Sequence, residues 1–234
     1  MVKITYLGHS SFYIEGEKTS VLFDPFIENP LSIEKELVEQ FKKLNPEYLL
    51  ITHGHSDHLG QALYFIEKGS KVITIFEIFN YLRKLNSKTQ GISMNIGGTV
   101  NLGNLKVTLV NATHSSSIME NDEIIYLGEP TGIIIELDNL KIYHMGDTGL
   151  TKDFELIGEL YKPDIVLIPI GSIFTMGIKE AIKALEMIKP KIAIPMHYNT
   201  FPIIKQNPHK FKEEVEKKLN IKIEIMDIGE TKIF

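Results

Sequence analysis

The amino-acid sequence predicts an α/β fold of two similar halves, in which two mixed β-sheets pack face to face with helices on their outer surfaces. Three observations carry this expectation. Short β-branched runs alternate with amphipathic segments of helical length. The order of these elements repeats once along the chain. Finally, 234 residues, 43% of them hydrophobic, suffice to bury a core without disulfide or metal staples. With no low-complexity segment or linker, residues 1–234 are expected to form one compact domain.

Residues 2–7 (VKITYL), 11–15 (SFYIE) and 20–24 (SVLFD) read as a strand meander that turns at Gly8 and around Gly16. Residues 33–44 place Ile33, Leu37, Val38, Phe41 and Leu44 on one helical face, and Asn45-Pro46 stops that helix. The apolar run YLLIT follows, then a helix from about Asp57 to Lys68, the strand KVITI at 71–75 and a helix over about 76–86. The second half runs through the same order. SFYIEGEKTSVLFD, a hairpin ending in Asp24, corresponds to GIIIELDNLKIYHMGD, a hairpin ending in Asp147. Pro46-Glu47-YLLIT corresponds to Pro163-Asp164-IVLIP, THGHSDHLG to IGSIFTMG, and KVITI to KIAIP.

Composition narrows the function. The chain has no cysteine, so a thiolate zinc site, an iron-sulfur cluster and a cysteine nucleophile are all excluded, and a metal site must use histidine and carboxylate. A net charge of −5 and a single arginine, Arg83, speak against nucleic acid as partner, because guanidinium is the group that grips phosphate bidentately. The lysines are interspersed with glutamates, as in KEEVEKK at 212–218, which reads as a solvated helix face. The opening residues MVKITYLGHSS show no charged segment followed by an apolar one, and no window approaches the roughly 20 apolar residues of a membrane span. The expectation is a cytoplasmic protein without membrane contact, acting on a small molecule and compatible with a homo-oligomer.

Chemistry is concentrated in one loop. THGHSDHLG sets His53, His55, Asp57 and His58 within six residues, whereas the equivalent loop of the second half has no histidine. His53 and His55, two apart in an extended stretch leaving a strand, can clasp one cation. Asp57 and His58 open the next helix, project on a different bearing and can serve a second. Further ligands should come from other strand ends on the same rim, and three positions qualify: His114 in NATHSSS, Asp147 in HMGDTG and His197 in IPMHYN.

This order of motifs, HxHxDH, then a histidine, a GD pair and a histidine at a strand end, resembles the metallo-beta-lactamase superfamily. YLGHSSF, FDPF, THGHSDHLG, PIGSIFTMG and PMHYNTFP are similar to an incompletely characterised branch of metal-dependent hydrolases related to L-ascorbate-6-phosphate lactonase. The resemblance implies a four-layer αββα sandwich. It also implies His53, His55 and His114 on a first metal, Asp57, His58 and His197 on a second, Asp147 bridging both, and Asp24 supporting the histidine-rich loop from behind. The expected cofactors are two divalent cations, zinc foremost and manganese or iron as alternatives.

The chemistry this implies is hydrolysis of a small ester, lactone, amide or phosphodiester by a hydroxide held between the metals, with Asp57 orienting it and protonating the leaving group. The alternatives are a nuclease acting on RNA or DNA, disfavoured by the acidic balance, and a redox di-iron protein. His9, in the turn LGHSS, is read as a substrate contact or a support behind the metals. His144 is read as a buried histidine backing the site rather than a ligand, and His209 as part of a surface helix. Asn199, Thr200 and Phe201, with Phe174, Thr175 and Met176, are candidates for shaping a substrate pocket. Ser115 to Ser117 offer hydroxyls beside His114, as a phosphate contact or a plain loop. Gly146 and Gly171 are expected to permit tight turns near the metals.

Overall fold

A computed structural model describes residues 1–28 and 35–234. The first half runs β1 (Lys3–Gly8), β2 (Ser11–Glu15), β3 (Ser20–Phe23), α1 (Lys35–Lys42), β4 (Tyr48–Leu50), α2 (Ser56–Leu59), α3 (Ala62–Glu67), β5 (Lys71–Ile75), α4 (Phe76–Leu85) and β6 (Gly91–Met94). A connecting region follows, with β7 (Thr99–Asn101), β8 (Leu105–Asn111) and the hairpin β9 (Ser117–Glu120) and β10 (Glu123–Tyr126). The second half then runs β11 (Thr131–Leu137), β12 (Leu140–His144), α5 (Asp153–Leu160), β13 (Ile165–Pro169), α6 (Ile178–Ile188), β14 (Ile192–Met196), α7 (Pro208–Lys218) and β15 (Lys222–Ile223). A last strand, β16 (Thr231–Ile233), returns to the first sheet.

The strands form two seven-stranded sheets, ordered β16-β1-β2-β3-β4-β5-β6 and β15-β14-β13-β12-β11-β8-β7, with β9-β10 apart. Along β1-β2-β3-β4-β5-β6 the pairings are antiparallel twice and then parallel three times. Along β8-β11-β12-β13-β14-β15 they follow the same sequence of directions. The repeat in the sequence is therefore a repeat in topology. Hairpin β11-β12 turns on Asp138 and Asn139, both at positive φ (49° and 65°), as a two-residue turn matched to strand twist requires.

Alternation along the strands sorts apolar side chains into three layers. In β13, Ile165 and Leu167 join the cluster between the sheets, while Val166 and Ile168 join the cluster beneath α5, α6 and α7. In the first sheet, Phe12 and Ile14 of β2 face the central cluster, whereas Tyr13 joins Phe41, Phe65 and Phe79 under the helices of that side. Each sheet is thus apolar on both faces, and a helix layer covers the outer one. The result is the expected αββα sandwich. No helix among the described residues is long and apolar enough to cross a membrane.

Three details differ from or add to the sequence expectation. The helix expected from about Asp57 to Lys68 is two pieces, α2 and α3. Gly60 between them has φ +41°, and a Cβ there would lie 2.4 Å from the carbonyl oxygen of Pro25, so the segment crossing after Asp24 breaks the helix. That segment is tied down by Gln61, whose N–H donates to Pro25 O and whose Oε1 accepts from the N–H groups of Ile27 and Glu28. Strands β6 to β10, β15 and β16 add to the elements expected from the sequence. Ile33, placed on the face of the first helix, lies outside the described residues, and α1 is described from Lys35.

Within the second half, neighbouring strand ends come very close at the rim. A Cβ on Gly171, just after β13, would lie 2.2 Å from the backbone oxygen of His197, just after β14. Gly171→Ala should therefore lower the unfolding free energy by about 2 kcal/mol or more in urea denaturation. Gly149→Ala, whose Cβ would meet nothing nearer than 3.7 Å, should change it by less than about 0.5 kcal/mol. Equal effects of the two would refute the close approach as the constraint.

Candidate metal centre

Because β1, β3 and β4 run parallel to one another, as do β8, β12, β13 and β14, their carboxyl ends lie together on one rim. His9 follows β1, Asp24 follows β3, the histidine-rich loop follows β4, His114 follows β8, Asp147 follows β12 and His197 follows β14. His9, Asp24, His197 and Asn199 all sit at positive φ, between 40° and 59°. Such backbone conformations are costly for these residues and persist where the surroundings over-determine them. The main chain also joins the halves here, since His197 N–H donates to His9 O at 2.8 Å.

All seven residues singled out as ligands come together. Asp147 Oδ2 is 2.9 Å from His197 Nε2, 3.4 Å from His58 Nε2, 3.6 Å from His114 Nε2 and 4.0 Å from His53 Nε2. His53 Nε2 and His55 Nδ1 are 3.0 Å apart. Two groupings have donor atoms close enough to surround an ion: His53, His55 and His114, and His9, Asp57, His58 and His197. A third, His53, His58 and Asp147, links them. Asp147 Oδ1 and His58 Nε2 are buried without a hydrogen-bond partner. Convergent imidazole lone pairs around a buried carboxylate are what a divalent cation satisfies.

Behind this cluster lies a set of fixed hydrogen bonds. Asp24, fully buried, accepts from Thr52 N–H at 2.8 Å, from Thr52 Oγ1–H at 2.7 Å and from His58 Nδ1–H at 2.7 Å. With its own proton given to Asp24, Thr52 Oγ1 accepts from His53 Nδ1–H at 3.0 Å. One carboxylate therefore sets the tautomer of two histidines and leaves both Nε2 lone pairs facing the cluster. On the opposite side His9 Nε2–H donates to Asp57 Oδ2 at 3.0 Å, and His9 Nδ1 accepts from Thr200 Oγ1 at 2.9 Å. Ser116 Oγ accepts from Gly54 N–H at 3.0 Å and pins the histidine-rich loop.

Electrostatics follow from this packing. Burial alone would raise the Asp147 carboxyl, but His197 and His58 hold it well below the usual carboxylate range. Burial opposes charge on His58, yet the carboxylates of Asp147, Asp24 and Asp57 outweigh burial and push its pKa well above 6.5. Burial drives His53 well below its ordinary value, and His55 and His114 lower, with neighbouring histidines adding to the shift. Burial and His197 bring His9 down to about 4. For Asp57 burial is overcome by His58 and His9, and its pKa is lowered.

The remaining expectations divide. His9 has no exposed side chain and lies behind Asp57, wedged between Phe26 and Phe201. His144 donates from Nε2 to Ser10 O, accepts at Nδ1 from Gly146 N–H and stacks on Phe23, so it backs the site with both nitrogens engaged. Asn199 is not brought to the cluster, because its Oδ1 accepts from Gln206 N–H within its own loop. Met176 is buried in the core and only Phe174 of its loop faces the centre. Of the serine run, Ser115 lines the cavity with its hydroxyl 3.3 Å from His55 Nε2, and Ser116 accepts from Gly54 N–H. His209 is exposed at the start of α7. The supports given by Thr52 and Ser116 were not anticipated. The signal for Thr52 is a polar residue closing a fully apolar strand.

Comparison with known proteins agrees with this geometry. A family model described as a beta-lactamase superfamily domain matches residues 3–197. A UPF0173 metal-dependent hydrolase of Methanosarcina mazei is 47% identical over 98% of this chain and 97% of its own length. Another from Methanopyrus kandleri is 44% identical over 98% of this chain and 99% of its own. The solved structure of a metallo hydrolase from Ignicoccus hospitalis superposes with a TM-score of 0.88 at 41% identity, covering 100% of this chain and 99% of that one. The chain belongs to the metallo-beta-lactamase superfamily and, within it, to the UPF0173 family of metal-dependent hydrolases.

Proposed function

We propose that this chain hydrolyses a small ester, lactone, amide or phosphodiester using two divalent cations at the rim. Zinc is the first choice, and manganese or iron suits the same donors. His53, His55 and His114 would hold one cation and Asp57, His58 and His197 the other, with Asp147 between them. The observation that carries this reading is Asp147, a buried carboxylate with four imidazole Nε2 atoms within 4.0 Å and one oxygen without a partner. Bound there, divalent cations lower the pKa of a water and stabilise negative charge building on the reacting carbonyl or phosphoryl oxygen.

The protein's own groups supply orientation. Asp24 and Thr52 hold His53 and His58 in one tautomer, so their lone pairs are aimed before any ligand arrives. Asp57 lines the cavity in front of the cluster, and His9 fixes one of its oxygens. A carboxylate with lowered pKa and a fixed bearing is suited to accept a hydrogen bond from the attacking water and orient it.

Asp57→Ala in metal-replete protein should lower turnover of a responsive substrate by about a hundredfold while metal content falls far less; wild-type turnover would exclude the orienting role. A panel of a chromogenic ester, a lactone, bis-p-nitrophenyl phosphate and a labelled RNA, each with and without chelator, identifies that substrate. Asp24→Asn should weaken metal affinity about 10- to 100-fold in competition with a chelating dye, and an unchanged affinity would count against Asp24 as the orienting group. Each histidine that would hold a cation must be neutral to do so, and cation and proton compete for these imidazoles. Affinity should therefore fall as pH is lowered, with proton release visible by calorimetry in buffers of different ionisation enthalpy. Pure heat of binding, independent of buffer, would contradict this.

A further inference from the structure

The cavity in front of the cluster has a volume of about 380 Å³, small for a ligand site. Five of the seven residues lining it are cluster groups, His55, Asp57, His114, Asp147 and His197, which leaves Ser115 and Phe174 to meet whatever part of a substrate is not reacting. Ser115 is already close to His55 Nε2, at 3.3 Å. Among the described residues, Phe174 is therefore the one apolar side chain that lines the cavity. No lysine or arginine lines the cavity, and residues 29–34 contain neither.

Phe174 is held in place rather than left on a loose loop. Ser172 adopts φ +65°, its N–H donates to Met176 O at 3.0 Å, and Met176 N–H donates to Thr148 O at 3.1 Å, with Met176 itself in the core. This anchored, strained turn presents Ile173 and Phe174 at 65% and 54% exposure. Exposing two large apolar side chains beside a polar centre is unfavourable in water, and it is offset when an apolar ligand group covers them. An ionic group on the same part of a ligand would lose water and gain no partner.

We infer that Phe174 selects the substrate, and that the substrate is a compact, uncharged acyl compound, an ester, lactone or amide, whose non-reacting part is an apolar group of a few carbons resting on that ring. This rests on the hydrolytic reading above and narrows it, setting aside nucleic acids, nucleotides and phosphorylated sugars.

The test uses metal-reconstituted protein with its metal content measured. Wild type should cleave p-nitrophenyl butyrate with a kcat/KM about tenfold or more above that for p-nitrophenyl hydrogen succinate. Phe174→Leu should keep that preference. Phe174→Ala should reduce butyrate turnover about tenfold, mainly through KM. Phe174→Arg should shift preference toward the succinate, a gain that damage to the fold cannot produce. Equal or better use of succinate by wild type, or an unchanged ratio in Phe174→Arg, would overturn the inference. Binding of butanehydroxamate against its carboxylate-tailed counterpart, followed by titration calorimetry, reads the pocket without turnover. Tighter binding of the neutral compound supports the inference even if no substrate is cleaved, an outcome that would defeat hydrolysis alone. Binding of neither, or equal binding of both, overturns it.

Discussion

A carboxylate withdrawn from water must find compensation in its surroundings, and Asp147 finds it in four imidazoles from three different loops. That requirement organises the rim. Strand ends from both sheets must converge, as where His197 N–H meets His9 O, a glycine replaces a side chain where neighbouring ends of the second sheet touch, at Gly171, and several residues accept left-handed backbone. Asp24 repeats the same logic one step back, where its fully satisfied charge fixes the tautomers on which the front layer depends.

The internal duplication explains why so much of this was legible in the sequence. Two hairpins ending in aspartate, two proline-initiated apolar strands and two further strands could be aligned by eye because burial on both faces forces continuous apolar runs, and these are conspicuous. The seven ligand candidates were legible for a related reason: each is a histidine or aspartate directly after such a run. What escaped has a physical cause too. Thr52 and Ser116 act through a single hydroxyl, which has no spacing rule. Gly60 breaks a helix because Pro25 passes over it, a contact 35 positions away in sequence that no local pattern announces. Asn199 looked like a site residue because it follows His197, but loop closure claims its side chain.

The halves also differ in instructive ways. The first half carries four ligand candidates in one loop, and the equivalent loop of the second half, after β13, carries none. Carrying none of those ligand candidates, that loop presents Phe174 to the same cavity. One copy of a repeated scaffold thus holds most of the polar machinery while the other shapes what it acts on, a division that sequence duplication makes available without a change of fold.

Closure of the rim has a consequence for how the chain acquires its site. His9 and Thr200, hydrogen-bonded across the centre, are separated by 191 residues. Contacts so distant in sequence form slowly, because chain entropy must be given up before they contribute anything. A nascent chain emerging from the ribosome can pair β1 to β6, with Asp24, Thr52 and the histidine-rich loop among them, before His197 is synthesised, whereas β16 joins that sheet last. The centre cannot be whole until β14 docks and delivers His197, the last of its seven groups along the chain.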